Sequence, residues 1–176
     1  MNYYAIQVKT RSENKYIQLL NAIHPESSLP IHFLQRQLDI RKNGRIKSIK
    51  LPVFPGYLFI EASNDEEIKE KQWDFRRIEG FQRFLTSNHN ITPLINRDLD
   101  IVLHFINNVG PLAGRSKVYF NENTRIIVME GPLLGLEGRI LKVDRRKGRA
   151  KIKLDLYDDS FTIDLAFEVI EPAKET

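Results

Sequence analysis

The stretch LPVFPGYLFI, from Leu51 to Ile60, combines the composition of a buried β-strand with a Pro-Gly pair at its centre. Proline removes a ladder donor and glycine weakens strand packing, so such a strand lies at a sheet edge, carries a bulge or closely faces another chain. Two interpretations stay open. One is a core strand with a local kink, and the other is a docking surface in which Phe54 and Tyr57 are rigid apolar anchors.

The composition favours a soluble globular protein with one medium domain or two small ones, because 176 residues are 41% hydrophobic and 28% charged. The absence of cysteine excludes disulfides and thiol chemistry and suits a reducing cytoplasm, which is the expected location. The N-terminus lacks the apolar core of a secretory signal, and no run is long enough to cross a membrane.

Positive charge is concentrated in two segments of a chain whose net charge is +4. Arg36–Lys50 holds six cations and one acid, Asp39, while Arg139–Lys153 holds eight cations and one acid, Asp144. A purely solvated surface does not require such segregation. The pattern favours contact with a phosphate backbone.

The first half of the chain alternates between strand and helix patterns. Tyr3–Lys9 has the period of a half-buried strand, and Thr10–Glu13 resembles a capping box that starts a helix ending near Ile23. Asn43-Gly44 predicts a hairpin with a basic tip. The two strands of this hairpin are predicted at Ile31–Ile40 and Arg45–Lys50. A second capped helix is predicted at Ser63–Trp73, followed by a short strand at Phe81–Leu85 and a third helix at Leu99–Ile106.

The segment NNVGPLAGRSK, residues 107–117, has two glycines, a proline and no periodicity, so it predicts a linker. We therefore expect domains at residues 1–108 and 118–176, joined by residues 109–117. The second domain should be a small β-barrel built from short strands. These strands are predicted at Arg125–Glu130, Gly138–Asp144, Arg149–Asp155, Ser160–Leu165 and Glu168–Ile170.

Known catalytic motifs are missing from the sequence. Gly131–Gly138 lacks the Lys-Ser/Thr ending of a phosphate-binding loop, and the four histidines are scattered singly. We therefore expect no cofactor, no metal site and no enzymatic activity. The remaining chemistry is binding, and the basic loop within Lys142–Ala150 predicts a contact with RNA.

Three blocks in order resemble the NusG family of transcription elongation factors: Tyr3–Gln7, Phe54–Tyr57, and the KOW-like segment Val128–Leu154. The resemblance implies an α+β fold, with an NGN-type α/β sandwich that contains an antiparallel sheet, a flexible linker and a C-terminal SH3-like β-barrel. It also implies a cytoplasmic, monomeric factor that suppresses pausing or termination.

Partners and site residues follow from the resemblance and from the charge pattern. The implied partners are the clamp helices of the largest RNA polymerase subunit, RNA or non-template DNA, and a ribosomal protein or Rho. Expected polymerase contacts are Tyr3, Phe54, Pro55, Gly56 and Tyr57, and the expected contacts of the barrel with its partner are Leu156 and Tyr157. Expected nucleic-acid contacts are Arg11, Lys15, Arg41, Lys42, Arg45, Arg76, Arg77, Arg83, Arg145, Arg146, Lys147 and Arg149.

Departures from the family pattern indicate a subtype. Arg83 stands where a small residue is usual, and Asp158–Phe161 places acids beside Leu156-Tyr157. With the arginine-rich loop, these features are similar to those of operon-specific paralogues, some of which recognise an RNA hairpin in a leader transcript. Two alternatives stay open: a ribosome-associated KOW-type RNA-binding protein, and an enzyme that acts on RNA.

Overall fold

The computed structural model describes residues 1–25 and 29–171. This part of the chain forms two compact units. The first consists of Met1–Leu34 and Phe54–Val102, and the second of Gln35–Val53 and the residues from Leu103 onward. The helices are α1 (Glu13–Ile23), α2 (Asp65–Arg76) and α3 (Asn96–Leu103), followed by a π-helical turn at His104–Val109, and a 3-10 turn lies at Glu137–Arg139.

Within the described residues, twelve strands accompany these helices, which confirms the predicted α+β class. They are β1 (Asn2–Val8), β2 (Ile31–His32), β3 (Gln35–Lys42), β4 (Arg45–Pro52), β5 (Tyr57–Ala62), β6 (Phe81–Phe84), β7 (Leu112–Ala113), β8 (Ser116–Phe120), β9 (Ile126–Glu130), β10 (Ile140–Asp144), β11 (Arg149–Leu156) and β12 (Asp159–Val169).

The first unit contains an antiparallel sheet in the order β2-β5-β1-β6. Because side chains alternate along a strand, the cross-strand pair Ile6 and Leu58 lies on one face, and the pair Ala5 and Phe59 lies on the other. The face of Ile6 and Leu58 belongs to a core that includes Phe75 of α2. The side-chain alternation of the predicted N-terminal strand therefore places one of its faces in this core.

The starts of α1 and α2 are stabilised by different hydrogen bonds. Helix α2 is capped as predicted, but one residue later than the predicted start at Ser63: the side chain of Asn64 accepts a hydrogen bond from the backbone N–H of Glu67 at 3.0 Å. The predicted capping box of α1 is wrong: Ser12 is the N-cap residue and makes no side-chain cap bond. Glu13 instead accepts a hydrogen bond from the backbone N–H of Gly56 at 2.8 Å.

The predicted basic hairpin is confirmed as β3 and β4, joined by a two-residue turn. The single strand predicted at Ile31–Ile40 is wrong, because Ile31–His32 form β2 of another sheet and β3 begins at Gln35. Asn43 and Gly44 have φ of 51° and 74°, as a type I′ turn requires. This hairpin belongs to the second unit, where β3 also pairs in parallel with β7. Strand β7 lies inside the segment expected to be an irregular linker, and the predicted domain limits at 108 and 118 stay a prediction.

The second unit also contains a five-stranded sheet in the order β10-β11-β12-β8-β9. The strand predicted at Arg149–Asp155 is confirmed as β11, in which Ile152, Leu154 and Leu156 are buried between exposed neighbours. The two strands expected at Ser160–Leu165 and Glu168–Ile170 are wrong, because they form the single strand β12. Its residues near Phe167 remain paired with β8, so no turn interrupts it.

Candidate nucleic-acid interface and the Phe54–Tyr57 turn

Residues Phe54–Tyr57 form a β-turn between β4 and β5, not a kinked strand. The backbone N–H of Tyr57 donates to the carbonyl of Phe54 at 3.1 Å, and Gly56 has φ of 82°. Proline at the second position and glycine with positive φ at the third are typical of a type II turn. The Pro-Gly pair therefore ends one strand and starts the next.

The expected exposure of Phe54 and Tyr57 is wrong for this structure. Their exposed fractions are 1% and 2%, and the ring of Phe54 packs edge-on against Phe59 with 5.5 Å between centroids. Both side chains are apolar or aromatic, and burial is favourable at about 25 cal/mol per Å² of apolar surface. A direct contact of these rings with polymerase therefore requires a rearrangement that exposes them.

Gly56 connects the turn to the start of the first helix. Its N–H donates to Glu13, which is only 4% exposed, and its carbonyl accepts from the backbone N–H of Val8 at 2.8 Å. A Cβ atom at Gly56 would lie 3.0 Å from Oγ1 of Thr10 and 3.2 Å from the carbonyl oxygen of Val8. The turn is thus fixed on both sides by β1 and α1.

Tyr3 is partly exposed and is the aromatic residue of the expected polymerase set that solvent reaches. Its ring centroid lies 6.1 Å from that of His32, and His32 lies 3.0 Å from the carboxylate of Glu61. Burial, and then the negative charge of Glu61, raise the pKa of the Tyr3 hydroxyl. Pro55 is also partly exposed, whereas Gly56 is buried.

The expected nucleic-acid cations of the first unit occupy three kinds of surroundings. Arg76 is held in place, because its guanidinium donates to the carbonyl of Asn88 and lies 5.3 Å from the ring centroid of Phe84. Lys15 pairs with Glu79 at 3.2 Å, and Arg83 donates to the side chain of Gln7 at 2.9 Å. The remaining two expected cations, Arg11 and Arg77, are exposed.

The basic loop between β10 and β11 combines anchored and free cations. Arg145 lies over the ring of Phe120 at 3.7 Å from its centroid and donates to the carbonyl of Thr124 at 3.0 Å. Arg149 donates to the backbone carbonyl of Asp39, and 19% of its side chain is exposed. Arg146 and Lys147 are exposed, and no acidic partner lies within 4.0 Å of either among the described residues.

The second basic segment is the tip of the β3–β4 hairpin. Arg41, Lys42 and Arg45 are all exposed there and flank the Asn43-Gly44 turn. The sequence presented this segment and the β10–β11 loop as separate features. The structure places both of them in the second unit, where β3 contacts β11 and β12 through its side chains and backbone.

Two polar residues beside these cations were missed as site residues. Arg115 forms an ion pair with Asp39, and Asp39 also accepts from Ser48 at 2.8 Å. That hydrogen bond from Ser48 and then the Arg115 guanidinium hold the pKa of Asp39 below its usual range. The available signal was the position of Asp39 as the lone acid of its basic segment, whereas Arg115 lay inside the expected linker.

The expected apolar pair Leu156 and Tyr157 is not presented as a pair. Leu156 is fully buried in the second unit, and Tyr157 is partly exposed in the turn before β12 with φ of 52°. The alternation of β11 directs the Leu156 side chain inward, so the expected contact through Leu156 stays a prediction that would require its exposure. The contact through Tyr157 stays a prediction.

Two other kinds of site are absent from the described residues. No helix there is long and apolar enough to cross a membrane. No group of three or more His, Asp or Glu side chains there could hold a metal ion.

The chain is similar to known proteins along most of its length. A family model described as NusG, transcription termination factor, matches residues 1–103. A transcription termination/antitermination protein NusG from Helicobacter pylori strain J99 is 24% identical over 180 residues, covering 97% of this chain and 98% of that protein. The Thermus thermophilus protein of the same name is 24% identical over 139 residues, covering 77% and 76%.

One solved structure described as showing domain interaction in Thermotoga maritima NusG is 17% identical to this chain. It covers 94% of this chain and 93% of its own, with a TM-score of 0.44.

Proposed function

The chain belongs to the NusG family of transcription termination and antitermination factors, and we propose that it binds both RNA polymerase and a nucleic-acid backbone during transcription. The first unit carries the proposed polymerase contact, on the clamp helices of the largest subunit. The second unit carries the proposed nucleic-acid contact. Together they suppress pausing or termination, because a partner with higher affinity for the elongating state shifts polymerase toward it.

One observation carries the nucleic-acid part of the proposal: the two basic segments project from the same end of the second unit. Arg36 of β3 donates to the carbonyl of Asp164 at 2.8 Å, and Arg149 donates to the carbonyl of Asp39. Arg149 pairs with Ala166 of β12, so Asp39 lies near Ala166 while Arg36 lies near Asp164. Residue numbers therefore rise in the same direction along β3 and β12. The tip of the hairpin therefore extends toward the end where the β10–β11 loop lies.

Electrostatics supports a phosphate partner at this end. The tip contributes Arg41, Lys42 and Arg45, and the loop contributes Arg146 and Lys147, all of them exposed. Like charges at one end repel one another unless a counter-charge is present, and a phosphate backbone supplies it in a regular array. Each phosphate that a cation neutralises releases counterions, so binding should weaken steeply with salt.

The test is a salt titration of RNA affinity for the wild type and for the double variant Arg146→Ala, Lys147→Ala. We expect the slope of log affinity against log salt to become shallower by about 1.4–1.8, which corresponds to two lost phosphate contacts. Lys151→Ala with Lys153→Ala is the matched control. It removes the same charge from the same hairpin, but these lysines lie 3.7 and 3.9 Å from the carboxylates of Asp164 and Asp155.

An equal slope for both double variants would contradict the assignment of the loop. Folding is checked by thermal unfolding of each variant. Arg145 is left unchanged because its contacts with Phe120 and Thr124 stabilise the loop.

The polymerase part of the proposal is supported by family membership and by the partial exposure of Tyr3. Aromatic side chains at an interface core often contribute about 2 kcal/mol or more, so Tyr3→Ala should lower polymerase affinity by at least about tenfold. Tyr119→Ala is the control, because Tyr119 is a partly exposed tyrosine of the second unit. Equal polymerase affinity for the two variants would refute the role of Tyr3.

The subtype is proposed to be an operon-specific paralogue that recognises an RNA hairpin in a leader transcript. The density of cations at one end of the second unit supports it, as does the acidic pair Asp158 and Asp159 beside Tyr157. Competition between a stem-loop RNA, an unstructured RNA and a DNA of matched length tests this proposal. Equal affinity for all three would contradict it.

A further inference from the structure

A surface cavity of about 310 Å³ lies in the second unit beside the basic loop. Five cations line it, together with the two acids Asp39 and Glu168. The cations are Arg115, Arg145, Arg146, Lys147 and Arg149. The cavity thus has an excess of positive charge and is open to solvent.

Asp39 is the acid that contacts these cations most closely. Its carboxylate forms an ion pair with Arg115, and its backbone carbonyl accepts a hydrogen bond from Arg149. Ser48, opposite Asp39 on β4, donates to the same carboxylate at 2.8 Å. The carboxylate of Asp39 is therefore already paired with the guanidinium of Arg115 at the wall of the cavity.

We infer that the carboxylate of Asp39 occupies the position of a nucleic-acid phosphate, and that a bound phosphodiester replaces it at Arg115. This inference rests on the proposed binding of nucleic acid by the second unit. Asp39 then acts as an internal competitor that lowers affinity for any backbone. Only a ligand that also engages the loop and the hairpin tip gains enough to displace it.

The chemistry of the pair makes this exchange feasible. A guanidinium binds carboxylate and phosphate through the same planar fork of N–H donors, so Arg115 can exchange one for the other without moving far. The pair is accessible to solvent, with 53% of the Arg115 side chain and 32% of the Asp39 side chain exposed. Exposed ion pairs contribute little to stability, and the released Asp39 keeps its hydrogen bond from Ser48.

The experiment compares RNA binding by the full-length wild type, Asp39→Asn and Asp155→Asn across a range of salt concentrations. Asp155 is the matched control, since it also accepts from a serine across a strand pair, Ser160 at 2.6 Å, and lies near a cation, Lys153 at 3.9 Å. We expect Asp39→Asn to bind about two- to fivefold more tightly near 0.1 M salt, as the loss of an exposed ion pair allows. Its salt slope should also steepen by about one phosphate contact, roughly 0.7–0.9.

A double-mutant cycle assigns the gain to Arg115. The gain from Asp39→Asn should disappear in an Arg115→Gln background, because the freed guanidinium is then absent. Asp39→Glu keeps the competing charge and should bind RNA as the wild type does. Parallel titrations with RNA and with DNA of the same sequence distinguish the two sources of phosphate: equal gains indicate the shared backbone, and a gain on RNA alone indicates RNA.

Two failures are distinguishable. If Asp39→Asn and Asp155→Asn bind RNA alike, while loss of Arg146 and Lys147 still makes the salt slope shallower, the inference is overturned and the proposed function stands. If the wild type binds neither RNA nor DNA, the proposed function itself fails. A gain that persists in the Arg115→Gln background also overturns the exchange at Arg115, and thermal unfolding confirms that the compared variants are folded.

Discussion

Replacement of Gly56 by alanine tests whether the Phe54–Tyr57 turn is fixed by the backbone of its own unit. The residue has φ of 82°, and a conformation of this kind destabilises an L-residue by about 1–2 kcal/mol. The added Cβ would also lie 3.0 Å from Oγ1 of Thr10 and 3.2 Å from the carbonyl of Val8. Overpacking of this kind destabilises by about a further 1–3 kcal/mol, so we expect a total loss of about 2–5 kcal/mol.

Gly80→Ala separates the two contributions within the same unit. Gly80 has φ of 99°, but a Cβ there would meet its nearest atom, Cβ of Lys9, at an ordinary 3.8 Å. This variant should therefore lose only the backbone contribution of about 1–2 kcal/mol.

Urea unfolding measures both variants, with the wild type as reference. If m, the slope of the unfolding free energy against urea concentration, stays unchanged, the shift in the urea midpoint multiplied by m gives the change in the free energy of unfolding. Equal losses for the two glycine variants would refute the argument, because they would show that Thr10 and Val8 yield without a penalty.

Three further predictions concern the first unit. Glu13→Ala should lower the free energy of unfolding by about 1–3 kcal/mol, since it leaves the N–H of Gly56 buried without its acceptor, whereas Glu13→Gln should lose less; urea unfolding of both checks this. Phe54→Ala should destabilise the protein by about 3–5 kcal/mol, and an unchanged urea midpoint would mean that its ring is not part of the core. The hydrogen bond from Tyr4 lowers the pKa of Asp65, and burial raises the pKa of Tyr4 to about 12. Stability from Asp65 is thus present above its usual pKa and lost as pH falls, while stability from Tyr4 is present below pH 10 and lost as pH rises through about 12. Thermal unfolding across pH should show both effects in the wild type. In Tyr4→Phe the alkaline loss should be absent and the acid loss should be smaller but present, because Asn2 still donates to Asp65 at 2.8 Å.

Local patterns in the sequence predicted the elements whose causes lie within a few residues. Asn43-Gly44 defined a hairpin because both residues tolerate positive φ, and Asn64 defined a helix start because its side chain reaches the next turn. The strand predicted at Arg149–Asp155 formed as β11, whose side chains alternate between a buried and an exposed side.

The roles of the aromatic turn residues could not be derived in this way. A Pro-Gly pair between apolar residues fits an exposed bulge and a buried turn equally well, and only the observed burial of Phe54 and Tyr57 distinguishes them. Glu13 likewise had the spacing of a capping residue, but its carboxylate accepts instead from a residue 43 positions along the chain.

The sequence by itself determined the α+β class, the family and the two basic segments, because composition, periodicity and motif order are properties of the chain alone. Tertiary structure alone decided that these segments share one unit and one end, and that Asp39 lies between Arg115 and Arg149. The physical reason is that such contacts join residues more than 70 positions apart. Local propensity carries no information on which distant charges the packing of β3 brings together.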